Sequence, residues 1–325
     1  MSPTPNHDQR RERASARRVR RVAPPPLEAE IDPPDPGDLP ETEAAPVRRL
    51  LSLTIAGFAG LLGVGLIFGA QTAGVGSARA PYGFVIFGVQ AFFVISWTVA
   101  TRPPAPVVVV TVGLLTAATA DAVAILPDVA SIALLGYVAA GGFVAGVVGQ
   151  LFRRTSRLRA TESLSATLVV VIGVIAFATL IVLTRITAGT QVIVVCLTST
   201  AVSLLVARVM DAIIPYPRLA PQVPRGATGI VAGAMLGSAT GALLGAYISP
   251  FEPRTGALVG FVAAFAAVLA DLSISYAEAG RQLAGEPGSL WLVRHMQGPL
   301  GGFALAAPAA YVICVLFVVP RLAAA

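Results

Sequence analysis

Charged side chains are rare within the apolar stretches of this sequence. A charge inside a bilayer is costly, so each one is a candidate for chemistry. Asp271 and Glu278 stand out, seven residues apart in ADLSISYAEAGRQ, residues 270–282. On a continuous helix they share a face. Two carboxylates on one face can hold a divalent cation, or they can be ordinary interfacial charges. Asp121 and Asp211 fall near the ends of two other apolar runs, where they serve a site or simply reach interfacial water. Arg208, Arg218, Arg225 and Arg294 complete the set. Guanidinium groups bind phosphate bidentately, so around Asp271 they would suit an anionic lipid or a partner protein. The alternative is that they only fix topology.

The soluble catalytic motifs are missing: there is no P-loop, no GxSxG and no HExxH. Cys196 and Cys314 lie in apolar runs without a CxxC partner, and His7 and His295 are too scattered for a histidine-based metal cluster. No cofactor is expected, apart from magnesium if the chain is an enzyme.

The elements that must position these residues are membrane helices. The chain has 325 residues, 55% hydrophobic and only 12% charged, with mean hydropathy +0.78. Ordinary soluble domains carry about a quarter charged residues. Apolar runs of about 20 residues recur from Leu50 onward. About nine spans are expected: 50–70, 83–100, 106–126, 130–151, 164–184, 190–214, 227–248, 256–276 and 300–319. Helices are expected because backbone groups in lipid must pair within their own segment. The fold class is thus an all-α, polytopic bundle, with 50–320 as the transmembrane domain.

Residues 1–49 read as a disordered tail, basic over 10–21 and then acidic and proline-rich over 24–43. The basic block either grips anionic headgroups or signals topology. All 23 basic side chains other than histidine are arginine, and the net charge is +6. No basic helix with interleaved aromatics accompanies that charge, so no nucleic-acid partner is expected. The loop arginines favour one side: Arg102, Arg153, Arg154, Arg157, Arg159, Arg218, Arg225, Arg281 and Arg294. Arg79, Asp128, Arg185, Glu252 and Arg254 fall on the other. This predicts a plasma-membrane protein with its N terminus in the cytoplasm.

Two segments have special texture. GIVAGAMLGSATGALLG places Gly229, Gly233, Gly237, Gly241 and Gly245 four residues apart, a stripe that lets another helix approach closely. That helix belongs to a second copy in a homodimer, or to the same bundle. The connector YPRLAPQVPRGATG, residues 216–229, is basic, and Pro217, Pro221 and Pro224 should stop the preceding span and keep the loop extended.

The order of features over 190–320 resembles the phosphatidate cytidylyltransferases, or CDP-diacylglycerol synthases. RLAPQVPRGATG (218–229) stands at that family's L-A-P-x-x-S-P-K-K-T-x-E-G loop and is followed by a glycine-rich span. ADLSISYAEAGRQ stands at its G-D-L-x-x-S-x-x-K-R element, and HMQGPLGGFALAAPAAYVICVLF (295–317) at its terminal motif. Arg208, Leu219 to Pro221, Asp271, Ser275, Gly301 and Gly302 match. The acid of D-T-G-A-Y falls at Thr200, the lysine pair near Arg225 and Gly226, and the D-R-x-D acids have no counterpart. Joining a nucleotide to a lipid phosphate gathers negative charge, which metals held by several carboxylates offset. The resemblance therefore implies a degenerate, non-catalytic relative that binds membrane lipid or a membrane partner, with Asp271 as the catalytic candidate if activity survives. An active CTP-dependent transferase with altered ligands is the alternative. A transporter or channel component is a third reading, although no inverted repeat is visible.

Overall fold

The computed structural model describes residues 48–127, 131–152, 157–285 and 291–324. Most of the expected tail, and the loop charges Asp128, Arg153 and Arg154, lie outside the described residues. Among the described residues there are nine helices long and apolar enough to cross a membrane, with mean hydropathy of 1.5 to 2.9. They are α1 (Arg49–Gln71), α2 (Ala80–Thr101), α3 (Pro106–Ile125), α4 (Ile132–Leu151), α5 (Arg157–Leu183), α6 (Gly189–Ile213), α7 (Ala227–Tyr247), α8 (Pro253–Leu283) and α9 (Trp291–Ile313). A wide π-turn, Cys314–Val318, carries α9 into a final short α10 (Val319–Ala324). The chain is an all-α polytopic bundle.

Three helices outrun their apolar cores. The first starts at Arg157 rather than 164, the second ends at Leu283 rather than 276, and the third starts at Trp291 rather than 300. Polar turns continue each helix beyond the greasy stretch that marks it in sequence. In α8 the extra turns are tied by Arg281 and Gln282, which donate to Glu278 at 3.1 and 2.9 Å, the short-range pairing that supports helix ends. In α9, Pro299 and Pro308 sit inside the helix. Proline ends helices in water, but packed membrane helices tolerate it because neighbours re-satisfy the freed backbone groups.

The helices form two packed groups. The first is α2, α3, α4 and α5; the second is α1, α6, α7, α8 and α9, with α9 also touching α2 and α5. Helix α1 therefore packs on α6, far along the chain. The outer faces carry exposed apolar side chains such as Leu61, Phe68, Tyr137 and Leu243, as a surface bathed in lipid should.

The glycine stripe of α7 is spent inside the chain. A Cβ at Gly229, Gly233 or Gly237 would lie 2.7 to 2.9 Å from the Ala207, Ser203 or Ser199 carbonyl of α6. Gly241 and Gly245 meet Gly256 and Gly260 of α8 backbone to backbone; a Cβ at Gly241 would come within 2.8 Å of the Gly260 Cα. Of the two partners the stripe allowed, these contacts belong to the same bundle rather than to a second copy.

Candidate functional site

Two clusters of arginine–carboxylate pairs lie at one end of the bundle, reached by the ends of α2, α6 and α8 and the starts of α1, α5, α7 and α9. The connector after α6 builds the first. Its backbone does not run extended, as its prolines suggested. It doubles back: Arg218 bridges Gly226, Ala227 N–H donates to the Pro217 carbonyl at 2.9 Å, and Val223 N–H donates to the Ala220 carbonyl at 3.1 Å. The fold-back drives Arg225 into the bundle, where it is fully buried. Two carboxylates explain why. Arg225 Nε pairs with Asp211 Oδ2 at 2.6 Å, and Arg225 Nη1 pairs with Asp271 Oδ2. Arg208 Nη2 takes the other oxygen of Asp271. The Gly226 amide donates to Asp211 Oδ1 at 2.9 Å. Burial works against the charge on Arg225, but Asp271 and Asp211 outweigh it and hold its pKa above the ordinary arginine value.

The surroundings fix this square of two arginines and two aspartates. Ser275 Oγ donates to the Asp271 carbonyl at 2.8 Å, and Ser52 Oγ of α1 donates to the Arg208 carbonyl at 2.7 Å. Gly298 of α9 lies against the Asp271–Arg208 pair, where a Cβ would collide with both. Its two positive and two negative charges cancel. Some N–H donors stay unsatisfied: Arg208 Nε, Arg225 Nη2 and Gln297 Nε2 are buried with no acceptor among the described residues.

A second cluster forms where α8 outlasts its apolar core. Glu278 holds Arg294 Nε and, at 3.1 Å, Arg281 Nη2. Both arginines line a cleft of about 580 Å³ with Trp97, Arg102, Glu162 and Ser165. Its walls come from α2, α5, α8 and α9. Ala100, Ala166 and Val169 make part of it apolar, and three guanidinium groups make part of it cationic.

These positions revise several expectations. Arg208, Arg218, Arg225 and Arg294 do not all gather around Asp271. Only Arg208 and Arg225 reach it, Arg294 pairs with Glu278, and Arg218 lies over the Tyr216 ring with 5.6 Å to its centroid. Asp271 and Glu278 share α8, as their spacing predicts, and separate arginines pair with each carboxylate. Among the described residues no three His, Cys, Asp or Glu side chains cluster in a way that could hold a metal ion. Asp211 is no interfacial charge; it is 1% exposed and anchors Arg225. Asp121 is likewise buried, at the opposite end of the bundle, where Gln90 of α2 donates to it at 3.0 Å.

Sequence reasoning missed Gly298, Gln297, Trp97, Arg102, Glu162 and Gln90. A signal existed for Gln90, the one polar amide in an otherwise apolar FVIFGVQAFF. Gly298 gave none, since what it makes room for is contributed by α6 and α8. Comparison with known proteins identifies no relative: no family model, no curated protein and no solved structure matches the chain.

Proposed function

We propose that this multi-pass protein resides in the plasma membrane with its N terminus and arginine-rich end in the cytoplasm. There it holds a phosphate-bearing anionic lipid and does not catalyse nucleotidyl transfer. The cleft between α2, α5, α8 and α9 carries this reading. Arg102, Arg281 and Arg294 supply charge-assisted donors for a phosphate. Trp97 suits the boundary where headgroup meets acyl chain, and Ala166 and Val169 give the chain an apolar wall. Glu162 offers an acceptor for a headgroup hydroxyl or ammonium. The loop-arginine bias supports the orientation.

The order of motifs resembles that of the cytidylyltransferases, and the state of Asp271 argues against that family's chemistry. A two-metal clamp needs carboxylate oxygens that a cation can approach. Both oxygens of Asp271 are bound to guanidinium groups, and Asp211 is engaged by Arg225 and the Gly226 amide. Arginine cannot take magnesium's place as a metal, although it can offset phosphate charge.

Native mass spectrometry of the purified protein tests the lipid reading. Arg102→Gln with Arg281→Gln leaves the Arg294–Glu278 pair intact. Losing two charge-assisted contacts, each about 1.5 kcal/mol or more, should lower retention of anionic lipid about a hundredfold or more. Unchanged retention removes the cleft as the site. Incubation with CTP, phosphatidic acid and magnesium tests the catalytic half. CDP-diacylglycerol formed above a boiled control, and lost in Asp271→Ala, would make the protein an enzyme.

A further inference from the structure

At the end of the bundle away from the arginine clusters, α2 and α3 bury a second polar pair. Gln90 is fully buried and Asp121 is 6% exposed. Gln90 Nε2 donates to Asp121 Oδ1 at 3.0 Å and to the Val174 carbonyl of α5 at 2.9 Å. A carbonyl can only accept, so Val174 fixes which end of the amide is nitrogen. The amide has then used both N–H groups, and its Oε1 has no partner; neither does Asp121 Oδ2. No cation pairs with Asp121 among the described residues, since none of the ion pairs includes it. An ionised carboxylate buried with one neutral partner would be very costly.

The two orphaned oxygens belong to the same pair of side chains. One added proton, on Asp121 Oδ2, can donate to Gln90 Oε1. The acid and amide then form a closed ring of two hydrogen bonds, and no buried oxygen of either is left bare. We infer that Asp121 is a proton-binding site within the bilayer, held as the neutral acid by Gln90 at neutral pH.

The neighbouring charges do not offer another solution. Arg185, in the turn after α5, donates to the Ala124 and Pro127 carbonyls. Arg79 precedes α2 in a short 3-10 turn. On α2, the buried Tyr82 hydroxyl makes no hydrogen bond to Asp121 or to any other described residue; on α4, Tyr137 faces outward. The ionisable groups of α5, Arg157, Arg159 and Glu162, belong to its opposite end.

Infrared difference spectra of the reconstituted full chain, wild type minus Asp121→Asn, test the assignment. At pH 7 a protonated-carboxyl carbonyl band that shifts in D₂O should be present in wild type and missing in the variant. Asparagine reproduces the neutral acid's pattern by donating to Gln90 Oε1, so Asp121→Asn should fold. Linkage gives a second readout. Unfolded aspartate ionises near pH 4, so over the range where only the folded protein keeps the proton, wild type should lose stability relative to Asp121→Asn. The loss is about tenfold in the folding equilibrium per pH unit as pH rises. Absence of the band at pH 7, failure of Asp121→Asn to fold, or stabilisation by sodium that Asp121→Asn abolishes would each overturn the inference; the last would mean a metal cation occupies the pair instead.

Discussion

Arg225 links two carboxylates from different helices, so its removal strands both. Asp271 can turn to Arg208, but Asp211 keeps only the Gly226 amide. Breaking a buried pair from one side costs about 3–5 kcal/mol, because a charge is left buried without its counterpart. Arg225→Met should therefore destabilise the protein by about that amount in detergent unfolding experiments. Replacing Arg225, Asp211 and Asp271 together by apolar residues of similar size leaves only Arg208 uncompensated and should recover part of the loss. Equal losses in the single and triple variants would mean that the square contributes through packing rather than charge. Sequence made Asp271 legible as a candidate because a charge in an apolar run is conspicuous, and Arg225 because it stands in a basic connector. It did not show that they touch, because their contact depends on a loop that doubles back, and proline content alone suggested the reverse.

At the level of elements, α6, α7 and α8 are held together by the absence of side chains. Backbones meet where Gly241 faces Gly256 and Gly260, and lipid gives such helices little hydrophobic reason to associate, so close van der Waals contact does that work. A methyl at Gly256 would collide with the Gly241 carbonyl. Gly256→Ala should cost about 1–3 kcal/mol, the range for overpacking. Ala at Gly136 or Gly141 of α4, where nothing lies within 4 Å of a built Cβ, should be nearly neutral. Thermal unfolding of the three variants side by side checks this, and equal shifts would remove the packing argument. The four-residue glycine repeat was visible in sequence. Its partner was not, because a stripe reports that something approaches closely without saying what. The nine spans were legible to within a turn at most ends, and the misses at α5, α8 and α9 arose where helix continues past the hydrophobic signal.

For the whole molecule, the proposed orientation has a direct check. Cys196 and Cys314 are both buried, so the native background for thiol labelling is low. Val75, between α1 and α2, and Ala284, after α8, are exposed at opposite ends of the bundle. On intact cells an impermeant maleimide should label Val75→Cys, and should label Ala284→Cys only after lysis. The reverse pattern would invert the topology and place the lipid cleft outside the cell. Apolar length and arginine bias gave this level of organisation its outline, because the bilayer imposes both on any spanning chain. Grouping into two sets of helices left no such trace.

That grouping also bears on how the protein is made. Helix α1 precedes the other described helices along the chain, yet it packs on α6, and the Ser52 hydroxyl donates to the Arg208 carbonyl. Some 120 residues must be synthesised between α1 and its partner. The α2–α5 group can pack meanwhile, while α1 waits in lipid with its inner face uncovered. The arginine–aspartate square closes later still, because it needs the connector, α8 and Gly298 of α9. Helix α1 is therefore seated once α6 has been made, and a chain truncated before α9 would keep that contact while leaving the square without Gly298 against it.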